Sequence, residues 1–257
     1  MPASDLSLLT DAAREAGEIA CSFWREDPQV WDKGGDDPVS EADFAVDTHL
    51  KNRLLGARPD YGWVSEETDD DSARLMADRV FIVDPIDGTR AFVAGEKTWA
   101  HSLAVVETGR VVAACVFLPA REKIYQAQEG LGATMNGEKI RSTTMPSAVD
   151  ATVLTPRVTM QDRFWRTGTA PGFERHFRPS LAYRLSLVAE GRFDGMLTLR
   201  ATWEWDIAAG ALIASEAGAV VSDRKGQALT FNSPARQTAG VVAGGARVHR
   251  DIVGALA

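Results

Sequence analysis

The 257-residue chain has only two cysteines, Cys21 and Cys115, and four histidines, His49, His101, His176 and His249. The two thiols are far apart and make no Cys-x-x-Cys motif. Each sits in an apolar local pattern, so both are expected to be buried free thiols rather than a redox pair or a disulfide framework. The histidines lack ligand spacing, which argues against a histidine-held metal. Positive charge is also short: 28 Lys and Arg stand against 36 Asp and Glu, a formal charge of -8. A chain of that balance has no general basic face, so a nucleic-acid polymer is not an expected partner. No apolar run approaches the roughly 20 residues needed to cross a bilayer. The start, Met1-Pro2-Ala3-Ser4-Asp5, has no basic stretch before an apolar core. No membrane partner is expected, and a reducing cytoplasm is the expected compartment.

What is present reads as an ordinary globular protein, with 45% hydrophobic and 25% charged residues. Leu6, Leu9, Ala13, Ala16, Ile19, Ala20 and Phe23 recur at three- and four-residue steps and predict a helix over 5–26, stopped by Asp27-Pro28. A polar loop over 32–39 follows. Ser40-Glu41-Ala42-Asp43 then opens a second helix with Val46, Leu50 and Leu54 on its apolar face. Short strands are expected near Trp63-Val64-Ser65 and at Val80-Phe81-Ile82-Val83. Runs 101–107 and 110–118 form a hairpin across Thr108-Gly109, and run 123–128 leads to a second hairpin turn at Asn136-Gly137. Beyond the polar break at Ser142–Asp150, strands near 152–155, 194–199, 219–222 and 240–243 alternate with helices near 180–190 and 206–217. This divides the chain into an N-terminal α+β domain, 1–145, and a C-terminal α/β domain, 146–257.

The chemistry concentrates where the strand at 80–83 ends in Asp84-Pro85-Ile86-Asp87-Gly88-Thr89. Gly88 permits a tight turn, and Thr89 begins a helix. Two carboxylates this close repel unless a cation or proton intervenes. Mg²⁺, a hard ion that takes a few carboxylates together with substrate phosphate, fits such a site. Amides at Gly88, Thr89 and Arg90 could receive that phosphate. The alternative is an Asx-turn and helix cap in which both acids merely accept backbone N–H groups. Asp206 is either the cap of the helix that follows Trp205 or a carboxylate fixed for metal binding. Glu66-Glu67 reads as the edge of a solvated acidic loop, and Ser40-x-x-Asp43 as a capping box. Arg175, His176, Arg178 and Arg184 form a basic island that is either surface charge or the wall of an anionic-substrate pocket.

Three segments in this order, Ser65-Glu66-Glu67-Thr68, Asp84-Pro85-Ile86-Asp87-Gly88-Thr89 and Trp205-Asp206-Ile207-Ala208-Ala209-Gly210, resemble the signature of the inositol monophosphatase superfamily. The resemblance spans nearly the whole chain. It implies a layered αβαβα sandwich, a phosphomonoesterase assisted by two or three Mg²⁺ ions, sensitivity to Li⁺ and a homodimer. It further implies metal ligation by Glu66, Asp84, Asp87, Asp206 and the main-chain carbonyl of Ile86. Asp43 and Thr89, with Glu66, would orient and activate the attacking water. Gly88, Thr89, Arg90, Arg184 and Asp206 would hold the substrate.

Within the superfamily, Arg90 after Thr89 resembles the 3′(2′),5′-bisphosphate nucleotidases and histidinol-phosphate phosphatases. The stretch before Trp205-Asp206 also lacks the glutamate that inositol-preferring members tend to carry. A bisphosphorylated nucleotide is therefore the expected substrate, with inositol 1-phosphate or histidinol phosphate as alternatives. Other chemistries fit less well. A haloacid-dehalogenase-type phosphatase needs Asp-x-Asp, whereas Asp84 and Asp87 have two residues between them. A non-catalytic Ca²⁺-binding module of the EF-hand kind needs a Glu at the twelfth loop position, and Glu96 falls one too far along. A paired-carboxylate glycosidase would work without metal.

Overall fold

The computed structural model describes residues 4–32, 34 and 38–257. The first three residues and most of the interior of the expected 32–39 loop lie outside them. In chain order the first part comprises α1 (Asp5–Phe23), β1 (Val30–Asp32), β2 (Pro38–Ser40), α2 (Glu41–Ala57), β3 (Gly62–Ser65), β4 (Arg79–Asp87), α3 (Thr89–Val93) and β5 (Ala100–Glu107). Next come β6 (Arg110–Leu118), β7 (Lys123–Gln128), β8 (Ala133–Met135) and β9 (Glu138–Lys139). The second part holds β10 (Thr152–Leu154), β11 (Glu174–His176), α4 (Leu181–Ala189), β12 (Gly195–Thr198), β13 (Thr202–Trp203) and α5 (Glu204–Glu216). It ends with β14 (Val220–Ser222), β15 (Gln237–Thr238), β16 (Val241–Gly244) and α6 (Ala246–Ala255).

Strands β3 to β9 lie side by side in chain order as a seven-stranded sheet, antiparallel except for the parallel β3–β4 pair. The second sheet has five strands in the order β11-β10-β12-β16-β14. Helices α1 and α2 cover one face of the large sheet, α4 and α5 fill the space between the two sheets, and α6 lies on the far side of the small one. The result is an αβαβα sandwich. Burial on both faces explains the unbroken apolar run in β4: Phe81 and Val83 pack under α1 and α2, while Val80 and Ile82 pack against the α4–α5 layer. Helices α4 and α5 in the middle layer are apolar nearly all round for the same reason. They approach so closely that a Cβ on Gly210 would lie 2.6 Å from Leu185 Cβ.

Both expected hairpin turns form, with positive φ at Thr108 (49°), Gly109 (82°), Asn136 (51°) and Gly137 (86°). Several expectations need correction. Helix α1 stops at Phe23 rather than at residue 26, and the residues beyond it turn through positive φ at Arg25 and Asp27. Cys115 is buried but Cys21 is exposed. The buried stripe of α1 runs through Leu9, Ala13, Ala16 and Ala20, and position 21 lies about 100° round the helix from Ala20. The ends of the 32–39 loop pair as β1 and β2. Helix α6 and strand β11 were not expected at all. Helix α5 starts at Glu204, two residues earlier than predicted, with Trp203 in the cap position, so Asp206 lies in its first turn and is not its cap. Among the described residues no helix is long and apolar enough to cross a membrane.

Candidate active site

Strand β4 is irregular at its end. Asp84 pairs with Ser102 and Asp87 with Ala100, so Pro85 and Ile86 together face the single residue His101. Side chains three apart on a regular strand point to opposite faces; the extra residue of this bulge returns Asp87 to the face of Asp84. The buried His101 ring supports the bulge through Nδ1, which meets the Pro85 carbonyl. Gly88 follows with φ 99°, a left-handed conformation that suits glycine, and turns the chain into α3.

Asp206, on the first turn of α5, completes the group. Asp84, Asp87 and Asp206 each offer a carboxylate oxygen within 4.8 Å of the others. Asp84 Oδ1 is buried and has no hydrogen-bond partner among the described residues, which an Asx-turn or a cap would have supplied. Burial, and then the charges of Glu66, Asp87, Asp206 and Asp43, push the Asp84 carboxyl well above its ordinary value. Oxygen-only donors that are buried, close and mutually repelling suit a hard divalent cation. Glu66 lines the same cleft but does not belong to the tight three-way group.

Asp87 is better supported. Its Oδ2 accepts from Ser180 Oγ at 2.6 Å and from the Ala182 N–H at 2.6 Å, both at the start of α4. Burial still pushes its carboxyl up to about 6, against the pull of those bonds. Asp43 serves two purposes with its two oxygens. Oδ2 accepts from the Ser40 N–H (2.9 Å) and Oγ (2.6 Å), the expected cap contact, while Oδ1 faces Thr89 Oγ1 at 3.2 Å. Burial lifts Asp43 to about 6 as well. The Ile86 carbonyl lies 3.1 Å from the same Thr89 hydroxyl.

These groups open onto a cleft of about 490 Å³ that Arg90, Arg184 and Arg200 also line. Arg184 is buried rather than extended into the cleft: Nε contacts the Arg178 carbonyl, Nη2 bonds the Pro179 carbonyl at 3.1 Å, and the guanidinium lies 4.4 Å over Phe177. Burial pulls its pKa down to about 10. The rest of the basic island turns elsewhere, Arg175 to the Thr155 carbonyl and Arg178 to the Phe177 carbonyl. Arg200, which the sequence reading passed over, stands 4.0 Å from Asp206.

Sequence reasoning also missed the residues that fix the ligands. Glu204, fully buried, accepts from the Asn232 N–H (2.6 Å), the Ser233 N–H (3.0 Å) and Ser233 Oγ (2.6 Å). Buried Arg74 bonds Asp70 at 2.6 Å and Asn232 Oδ1 at 2.5 Å. This network ties the acidic loop after Glu66-Glu67 to the helix start that presents Asp206. Ser180 caps α4, accepting from the Tyr183 N–H at 2.9 Å; a serine just before an apolar run is the signal that could have found it. Its bond to Asp87 spans 93 residues of sequence.

Comparison with known proteins agrees with this geometry. A sequence model of the "Inositol monophosphatase family" matches residues 2–256. The chain is 35% identical over 228 residues to an inositol-1-monophosphatase of Rhizobium meliloti, covering 83% of this chain and 80% of that protein. It is 33% identical over 235 residues to the Nus factor SuhB of Pseudomonas aeruginosa, covering 86% of each. The solved Thermotoga maritima IMPase superposes with a TM-score of 0.83 at 29% identity, covering 97% of this chain and 95% of that one. The chain belongs to the inositol monophosphatase family and is a phosphoric monoester hydrolase.

Proposed function

We propose that the protein hydrolyses a small phosphate monoester of the inositol monophosphate kind, with two or three Mg²⁺ ions held by Glu66, Asp84, Asp87, Asp206 and the Ile86 carbonyl. The observation that carries this reading is the convergence of three buried or nearly buried carboxylates, one oxygen of Asp84 unpartnered, beside the Gly88–Thr89 turn. Bound there, Mg²⁺ would supply positive charge to the phosphoryl group and make water easier to deprotonate. The chain's own groups do the rest. Gly88 and Thr89 face the phosphoryl group at the turn. Thr89 Oγ1, donating to Asp43 Oδ1, keeps lone pairs to accept a hydrogen bond from the attacking water. Asp43, ionised above about 6, draws the proton which that water sheds.

The name of the Rhizobium meliloti relative, inositol-1-monophosphatase, supports inositol phosphate over the bisphosphate nucleotide expected from Arg90. One observation keeps a bisphosphorylated ester as a second reading: Arg90 and Arg200 line the same cleft as the carboxylates. Phosphate release from inositol 1-phosphate, 3′-phosphoadenosine 5′-phosphate, fructose 1,6-bisphosphate and histidinol phosphate tests both, run with Mg²⁺, with EDTA and with added Li⁺. Mg²⁺-dependent release abolished by EDTA, highest in kcat/KM for inositol 1-phosphate and inhibited by Li⁺, is expected. Preference for a bisphosphate moves the assignment to the second reading. A folded protein that releases no phosphate from any of them refutes both.

A further inference from the structure

The carboxylate of Glu66 is placed where its own charge opposes it. It raises the pKa of both Asp84 and Asp43, and it is only half-buried, so a turn of its backbone would let it swing into water. Something must hold that turn. Helix α2 supplies the means. Asp43 faces Thr89, and one helical turn later Asp47, buried at 7% exposure, reaches the end of β3. Its Oδ1 accepts from Ser65 Oγ at 2.5 Å, and its Oδ2 accepts from Thr68 Oγ1 at 2.6 Å. Those two residues flank Glu66-Glu67 on either side. The grip is extended by the Trp63 indole N–H, which donates to Thr68 Oγ1 at 3.3 Å, and by the Glu67 N–H, 3.4 Å from Ser65 Oγ. On the sheet side the Glu66 N–H bonds the Val83 carbonyl at 3.3 Å, one residue before Asp84.

We propose that Asp47 is a positioning residue for the metal centre: by clasping Ser65 and Thr68 it holds Glu66 towards Asp84 against carboxylate repulsion. The proposal rests on the metal-dependent reading of the site above. Asp47 touches neither substrate nor reacting atoms. Its role is one of hydrogen bonding and not of charge. An asparagine can still accept from Ser65 Oγ and donate to Thr68 Oγ1, whereas an alanine can do neither.

The test is Mn²⁺ binding to the metal-stripped full-length protein, followed by electron paramagnetic resonance of free Mn²⁺, with near-ultraviolet circular dichroism to confirm folding. Groups that orient metal ligands typically contribute 10–100-fold in affinity, so Asp47→Ala should weaken Mn²⁺ binding by about tenfold. Thr68→Val, which removes one arm at a half-buried residue, should weaken it by roughly threefold, and Asp47→Asn should stay within about threefold of wild type. The Mg²⁺ concentration for half-maximal activity should rise in the same order. A merely structural role would lower the unfolding temperature of Asp47→Ala and leave Mn²⁺ affinity in place, and that result overturns the proposal. So does an Asp47→Asn loss as large as that of Asp47→Ala, because charge would then be responsible. If Asp47→Ala does not fold, Thr68→Val decides alone. A wild-type protein that binds no Mn²⁺ overturns the metal reading and this proposal with it; equal binding by wild type and folded Asp47→Ala overturns this proposal only.

Discussion

At the scale of single residues, Asp84 and Ser180 show how burial is divided between chemistry and support. Asp84 is buried, repelled by four neighbouring carboxylates and left with an unpartnered oxygen. Removing its charge should relieve the metal-free protein and cripple the loaded one. Asp84→Asn is therefore expected to lower kcat by at least about 10²-fold, since a preorganised charge partner of the transition state typically contributes several kcal/mol. The same variant should unfold at a higher temperature than wild type in EDTA. Steady-state kinetics with Mg²⁺ and paired thermal melts check both halves; wild-type turnover in a folded Asp84→Asn would remove Asp84 from the reaction. Ser180 lies on the other side of that division. Its hydroxyl accepts from the Tyr183 N–H and donates to Asp87, so Ser180→Ala loses a helix cap and one of the bonds that hold the Asp87 carboxyl down. The cap contributes about 1 kcal/mol. A comparable fall in unfolding free energy is expected, together with weaker Mg²⁺ activation, because Asp87 then holds its proton to higher pH.

At the scale of elements, the middle layer depends on α4 and α5 lying unusually close. Gly210→Ala places a Cβ 2.6 Å from Leu185 Cβ, an atom next to the backbone of α4 that cannot move aside as a side-chain tip can. Alanine gains about 1 kcal/mol of helix propensity over glycine, but overpacking costs roughly 1–3 kcal/mol, so a net loss is expected. For a chain of this length each kcal/mol lowers the melting temperature by about 2–4 °C. Since α5 carries Asp206 and α4 begins beside Asp87, activity should fall along with stability; a more stable Gly210→Ala would show that the helices have room to part. Legibility in the sequence followed the same divide between local and distant contacts. The run Val80 to Val83 and the turns at Thr108-Gly109 and Asn136-Gly137 were readable because each is set within a few residues, whereas the local pattern at Asp84 and Asp87 left cap and metal ligand both open until the fold brought Asp206 beside them. Helix α6 was passed over although Val248 and Ile252 stand four apart among Arg247, Arg250 and Asp251, the spacing of a one-sided surface helix; with so few apolar residues the pattern is short. Asp206 was half-read. Its type and place stood out, but the Glu204 anchor that makes it a first-turn residue depends on Asn232 and Ser233, which only the fold brings near.

At the scale of the whole molecule, the carboxylates come from both parts of the chain and meet beside the middle layer, so metal binding and folding should be linked. Asp43 and Asp87 rise from 3.8 to about 6 on folding. A carboxyl raised in this way contributes stability below its unfolded value and loses it as pH climbs through the folded value. Without metal, each such shift removes about 3 kcal/mol by neutral pH, an upper bound because the groups interact. Buried His101, held down to about 4, acts in the opposite sense: its stability is lost as pH falls from 6.5. A simple pH–stability curve therefore mixes two opposing trends, in which two carboxyl shifts of about 3 kcal/mol each outweigh one of similar size at His101. The Mg²⁺-dependent part separates them, because His101 contributes alike with and without the ion, whereas protons and Mg²⁺ compete for the same carboxylates. Stabilisation by Mg²⁺ should be small near pH 4 and grow through pH 6. At 100 times the dissociation constant it should approach about 2.7 kcal/mol. Calorimetric melts in matched EDTA and Mg²⁺ buffers from pH 4 to 7.5 measure that gap directly. A gap that stays constant across the range would mean that the acids meeting beside α5 do not hold the ion.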